Sequence, residues 1–272
     1  MRSNTTVVYC STDNLITTTN KALSGFADFL EGLGEANIPV VPVTNRSRHQ
    51  FDAAIRKFGF GHPFVAEGGC GVFLPEDYFH LKPPRSMRLG RFTCIPTASP
   101  QPAAADLLEE LRNETGIEAV ALRELSPREL SQNTGLPHRE AELLRQRDFD
   151  EVFFFAGVSD ADIERFRQAA AQHKAQVRPR GTLWSLAAGA NLGSCMRDLS
   201  QLYQRSFRAN PRNIGIATSE EAAELFPACD RCLLLVARDA TTAEPLNKCK
   251  TLPLFAGDTW PAALEMILSR EL

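Results

Sequence analysis

The sequence predicts an α/β protein: a core with a central parallel sheet, interrupted by an inserted α+β module. Short apolar strands alternate with amphipathic helical stretches at both ends of the chain. The middle third departs from that rhythm, opening on a Pro- and Arg-rich stretch and continuing in charged helical segments.

Taken in order, TVVYC (6–10) is a strand and KALSGFADFLEGLGEA (21–36) an amphipathic helix. IPVVPVT (38–44) is a second strand, whose β-branched run suits burial on both faces. SRHQFDAAIRKFG (47–59) is a helix, and PFVAEGG (63–69) a third strand ending in glycines. Strand and helix in such short steps imply right-handed crossovers and a binding edge at the strand C-termini. After GVFLPEDYF (71–79), LKPPRSMRLGRF (81–92) reads as a linker, followed by TCIPTAS (93–99) and the helix PAAADLLEELRNETG (102–116). In LSPRELSQNTGLPHREAELLRQR (125–147) two capped helices are expected, with Ser126 and Glu129 at capping-box spacing and Pro127 at the first helical position. FDEVFFFAG (149–157) is a strand, SDADIERFRQAAAQHKA (159–175) a surface helix, and QVRPRGTLWSLAAG (176–189) a further strand. From about Trp184 the core pattern returns: helix 194–207, strand 212–218, helix 219–226, strand 231–237 and closing helix 261–272. The expected division is therefore a core of 1–85 and 184–272 around an inserted module of 86–183.

A net charge of −3 (30 Lys and Arg against 33 Asp and Glu) with 43% hydrophobic residues is globular composition, which excludes disorder and a coiled coil. The balance carries no basic excess for nucleic acid, and no window is long and apolar enough for a membrane span. The start MRSNTTVVYC reads as a first strand and not as a signal peptide. Seven scattered cysteines fit reduced thiols and a cytoplasmic location better than a disulfide framework. The one tight pair, Cys229 and Cys232, precedes the apolar run LLLVA and is read as structural, at a strand entrance.

Three stretches are more specific than the fold pattern: IPVVPVTNRSR, PFVAEGGCGVFLP and LSPRELSQNTGLPHREAELLRQRDFDEVFF. With them the chain resembles, over nearly its full length, the mannosyl-3-phosphoglycerate phosphatases of the haloacid dehalogenase (HAD) superfamily. That resemblance implies a HAD-like Rossmannoid core with an α+β cap. It also implies an ancestral reaction, the magnesium-dependent removal of phosphate from a glycosyl-phosphoglycerate to make a compatible solute.

Such phosphatases gather their chemistry at four sites, and by resemblance this chain departs from most of them. The first strand ends in an Asp-x-Asp pattern whose first carboxylate attacks phosphorus and whose second protonates the leaving oxygen. Here Ser11 stands in the nucleophile position and Asp13 in that of the general acid, with Asn14 in place of the usual glycine. Serine is neutral and needs a neighbouring base, and no His or Lys lies in this segment. Asp13 also reads simply as an Asx-turn residue. Thr44 matches the second site, a phosphoryl-oxygen donor, with Asn45 as another donor and Arg46 and Arg48 adding charge; taken alone, a threonine there is a turn or cap residue. At the third site Leu192, between Asn191 and Gly193, replaces the lysine that neutralises phosphate. At the fourth, Thr218 and Ala222 replace magnesium-binding acids, while Glu220 and Glu221 open a helix, where the dipole favours carboxylates anyway.

Ligand contacts by resemblance are Glu67, Gly68 and Gly69, in a loop that otherwise reads as a tight turn leading to a hairpin, and Arg147 and Arg180 in the cap, which could equally be surface arginines. The expectation is a phosphatase homologue that has lost catalysis and its metal and acts as a binding or regulatory protein. It would need no cofactor and would take a small phosphorylated or glycerate-type ligand or an active paralogue as partner. The alternative is a magnesium-dependent phosphatase that still uses Asp13 as its acid.

Overall fold

A computed structural model describes residues 5–13, 25–52, 61–80, 83–236, 249–253 and 258–272, with the side chains of 219–221 undescribed. Among them the strands form one sheet of nine and one of four. In the large sheet, β1 (Thr6–Ser11) lies between β2 (Val40–Val43) and β11 (Arg212–Thr218), and parallel pairing runs from β13 (Cys249–Pro253) and β12 (Arg231–Val236) across to β3 (Phe64–Ala66). Then β4 (Gly71–Leu74), β6 (Phe92–Pro96) and β5 (Met87–Leu89) continue it antiparallel.

Every residue of β1 is buried, as a strand covered on both faces requires. Its alternation separates the two layers. Val8 and Cys10 face a cluster that includes Phe26, Phe29 and Leu33 of α1 (Phe26–Glu35) and Trp260, Ala263 and Ile267 of the C-terminal helix Thr259–Leu268. Val7 and Tyr9 face the opposite cluster, built on Leu192, Cys195, Met196, Leu199 and Tyr203 of the helix Leu192–Phe207. The helix expected over 47–59 is helical at 48–52, and its remainder lies outside the described residues, as does Asn14.

In the smaller sheet β7 (Ala119–Ala121), β8 (Glu151–Phe155), β10 (Leu183–Ala188) and β9 (Ala175–Arg180) pair antiparallel. Helices Gln101–Thr115 and Asp160–Gln172 pack Leu108, Leu111, Phe166 and Ala170 on one face, against Phe153 and Leu186. On the other, Leu130 and Ala141 of helices Pro127–Thr134 and His138–Leu144 meet Val152. The capping box forms as expected: Glu129 N–H donates to Ser126 Oγ at 3.3 Å, and Ser126 N–H to Glu129 Oε2 at 2.9 Å.

The structure corrects three local readings. Residues 87–96, within and after the expected linker, form the β5–β6 hairpin and extend the large sheet, so the chain leaves that sheet after Pro96. The single strand expected over 176–189 is the β9–β10 hairpin, turning at Gly181 with φ +66°. Trp184 therefore lies in the smaller sheet, paired with Phe153 and Pro179, and the chain returns to the large one only after Ala188. Apolar stretches read alike in either sheet; only pairing separates them. The edge strand β13 carries no strong apolar run and was not foreseen.

Among the described residues the seven cysteines form no disulfide; Cys249 is half-buried and the others are buried. Cys229 precedes β12 and Cys232 is its second residue, the strand entrance the sequence suggested. Among the described residues no helix is long and apolar enough to cross a membrane.

Candidate ligand site between core and cap

The C-terminal ends of β1, β2 and β3 bring Ser11, Asp13, Thr44, Asn45 and Gly68 to one edge, where they line a cavity of about 60 Å³ with Leu192, Glu224 and Arg180. Parallel strands place their C-terminal loops together, which is why this edge collects residues distant in sequence. Ser11, the last residue of β1, is 4% exposed. Two residues on, Asp13 turns toward β2: Oδ1 accepts from Thr44 Oγ1, and Oδ2 accepts from Asn45 N–H at 2.6 Å. Thr44 Oγ1 in turn accepts from Arg46 N–H at 3.1 Å, and Arg46 Nε lies 4.0 Å from Asp13 Oδ1.

Glu67, Gly68 and Gly69 all have positive φ and reverse the chain from β3 into the antiparallel β4, so they do form a turn opening a hairpin. They also do more. A Cβ on Gly68 would overlap Arg180 Nη2, and one on Gly69 would stand 2.6 Å from Leu192 N and 2.7 Å from Leu192 Cα. Gly69 is thus needed for the close approach of a helix start, whereas at Gly68 the neighbour is the movable tip of a cap arginine and the positive φ is what favours glycine. Glu67 is turned away from the cavity. Buried at 1% exposure, its carboxylate accepts from the backbone N–H groups of Asp148, Phe149 and Asp150 at 3.0, 2.9 and 3.0 Å. Burial and the Asp150 charge push this carboxyl up, while Arg147 and the N–H donors pull it down. Its place is that of an anchor between core and cap.

Arg147 shares that role. Its Nε and Nη2 hold Asp150 at 2.5 and 2.8 Å, Nη2 also donates to Asn45 O at 2.9 Å, and Nη1 donates to Gln50 Oε1 at 3.1 Å. Burial opposes its charge, but the carboxylates of Asp150 and Glu67 outweigh that and raise its pKa. The guanidinium lies behind the cavity and supports the Thr44-Asn45 loop; four of its donors are taken within the protein. Nearby, Arg48 grips Asp148 at 2.9 and 3.1 Å. The segment 147–150, between cap elements, is therefore a further attachment of cap to core, besides the two chain crossings.

Arg180 behaves differently. It is half-buried and lines the cavity, and its buried Nε finds no acceptor among the described residues; Nη1 donates only to Pro179 O at 3.3 Å. Burial lowers its pKa. Arg178, which the sequence reading missed, sits beside it: Nη1 donates to Gly68 O at 2.5 Å and lies 3.4 Å from Glu224 Oε2. The available signal was strand periodicity, since residues two apart in β9 project from the same face. Glu224 was missed as well, and nothing local marks it.

Leu192 opens its helix beside Gly69, is 6% exposed, and packs into the apolar cluster beneath the cavity. Asn191 caps that helix, accepting from Ser194 N–H at 2.8 Å. Leucine offers no charge at this position; among the described residues the positive charge nearest the cavity is that of Arg180, Arg178 and Arg46. Thr218 ends β11 and Ala222 lies on the following helix, Ser219–Leu225. Magnesium requires oxygen donors that include free carboxylates. Around the β1 and β11 ends the described side-chain donors are the hydroxyls of Ser11 and Thr218, Asp13, both of whose oxygens already accept hydrogen bonds, and Glu224, which faces Arg178 at 3.4 Å; no three metal-ligating side chains cluster among the described residues. That donor set does not fit a magnesium ion.

No family model matches the chain. It is similar to two curated proteins named glucosyl-3-phosphoglycerate/mannosyl-3-phosphoglycerate phosphatase. With that of Methanococcoides burtonii it is 25% identical over 181 residues, which is 65% of each chain. With that of Persephonella marina it is 22% identical over 209 residues, 76% of this chain and 75% of the relative. Among solved structures it is similar to a haloacid dehalogenase-like hydrolase from Bacteroides thetaiotaomicron, with TM-score 0.63 and 13% identity over 96% of this chain and 99% of that one. The Synechocystis sucrose-phosphatase in complex with sucrose and phosphate is also similar, with TM-score 0.57 and 14% identity over 96% and 97% of the two chains. With its mostly parallel sheet and separately sheeted cap, the chain has the fold of haloacid dehalogenase-like hydrolases, and its sequence is similar to those of the two phosphatases.

Proposed function

We propose that the protein binds a small phosphorylated or glycerate-type anion in the cleft between core and cap and does not hydrolyse it. The observation that carries this reading is the Arg180 guanidinium, whose Nε is buried without an acceptor at a cavity that also holds Ser11, Thr44 and Asn45. A buried donor left unfilled costs stability, and an arginine fork recovers it best from a phosphate or carboxylate. Ser11 has no carboxylate charge with which to attack phosphorus, and Leu192 supplies no cation to offset one. The ligand class follows from the relatives' names, since glycosyl-phosphoglycerates offer both a phosphate and a carboxylate. The expected role is that of a cytoplasmic pseudophosphatase linked to compatible-solute chemistry, acting through its ligand or through an active paralogue.

A second reading, hydrolysis with Asp13 as acid, is favoured by the retained Asp13 and by those same names. The two separate in an assay with magnesium against mannosyl- and glucosyl-3-phosphoglycerate, beside a Ser11→Asp, Leu192→Lys, Thr218→Asp, Ala222→Asp variant. The wild type is expected to show no turnover, to bind 3-phosphoglycerate in calorimetry, and to lose roughly tenfold or more in affinity on Arg180→Met. Magnesium-dependent turnover by the wild type, abolished by Asp13→Asn, overturns the binding reading.

A further inference from the structure

We propose that Asp13 is a resident anion of this cavity: its carboxylate fills the cradle made by the Thr44 hydroxyl and the Asn45 amide, and an incoming phosphate or carboxylate must displace it. The inference rests on the ligand site proposed above and concerns what competes for it. Two donors converge on the Asp13 carboxylate, one on each oxygen. The Thr44 donor is already aimed. Because Thr44 Oγ1 accepts from Arg46 N–H, its own proton is left to point at Asp13. Arg46 stands 4.0 Å away, and the charges of Asp13 and Arg180 attract one another. A hydroxyl, a backbone amide and two guanidinium groups form a set that any oxyanion would satisfy.

The cavity, at about 60 Å³, leaves little room for a second anion beside the first. Like charges a few ångströms apart in such a partly desolvated place repel strongly. The Asp13 side chain keeps 19% exposure, so it has a solvent side toward which to swing. Ligand entry therefore exchanges one anion for another, and affinity in the wild type is the difference between two interactions of the same kind.

Calorimetric titration of inorganic phosphate into the full chain tests this, with wild type, Asp13→Ala, the near-isosteric Asp13→Asn, Arg180→Met and the Asp13→Ala, Arg180→Met double variant. Circular dichroism establishes that each is folded. Asp13→Ala is expected to bind at least about tenfold tighter than wild type, Asp13→Asn to fall between them, and the double variant to lose the gain. Should Asp13→Ala not fold, the Asp13→Asn comparison decides alone. Affinity unchanged or weakened in the folded Asp13 variants overturns the displacement model; if wild type still binds and Arg180→Met does not, the ligand site itself stands. Binding by Asp13→Ala with none by wild type supports the displacement model and overturns wild-type binding. Absence of binding throughout overturns both.

Discussion

Asp150→Ala is expected to destabilise the protein by about 3–5 kcal/mol, because it leaves the Arg147 guanidinium buried without its main counter-ion. The side chains of Arg147 and Asp150 are 3% and 1% exposed, so water cannot take over the lost role. For a chain of this size the melting temperature should fall by on the order of ten degrees. Asp150→Asn, which keeps volume and one acceptor, should cost less. The loss should also reach the ligand site, since Arg147 holds Asn45 O and Gln50 in place on the loop that carries the Thr44 and Asn45 donors. Thermal unfolding and phosphate titration of the same variant check both parts. A melting temperature within two degrees of wild type would show that this buried ion pair contributes little to stability.

Gly69→Ala is the second large effect, expected at about 3 kcal/mol. Gly69 has φ +91°, and an added Cβ would meet Leu192 N at 2.6 Å and Cα at 2.7 Å. Backbone atoms cannot swing aside as a side-chain tip can, so left-handed strain and overpacking add together. The start of the helix Leu192–Phe207 must shift, and with it the wall that Leu192 gives the cavity. Gly116→Ala is the control. It also has a positive φ, +66°, but open space around the new methyl, so only the strain of about 1 kcal/mol remains. Urea denaturation of the two variants separates steric from conformational cost; equal losses would mean that the approach of Leu192 is unimportant.

The first expected result acts through Arg147 and the second falls on Gly69, two residues the sequence singles out without explaining. Gly69 stood out in a loop resembling a substrate loop, yet its tightest neighbour is the helix start bearing Leu192. By resemblance Arg147 and Glu67 are ligand contacts; in the structure their hydrogen bonds instead fasten the loop 147–150 to the core edge. Arg180 is the cap arginine left with open valence at the cavity. Sequence spacing cannot tell these arginines apart, because what separates them is whether a carboxylate from elsewhere in the chain happens to lie against each one.

The sequence alone determined the alternation of apolar strands and amphipathic helices, the capping box at Ser126 and Glu129, and the uncharged side chains at Ser11, Leu192, Thr218 and Ala222. These are local properties, written in residue type and short-range periodicity. Only the tertiary structure decided that 87–96 joins the large sheet, that 176–189 is a hairpin of the small one, and that Asp13 lies across Thr44 and Asn45. Each depends on which backbone or side-chain partner, many residues away, a segment meets. Hydrogen bonds and ion pairs of that kind have no signature in the order of residues until folding brings the two sides together.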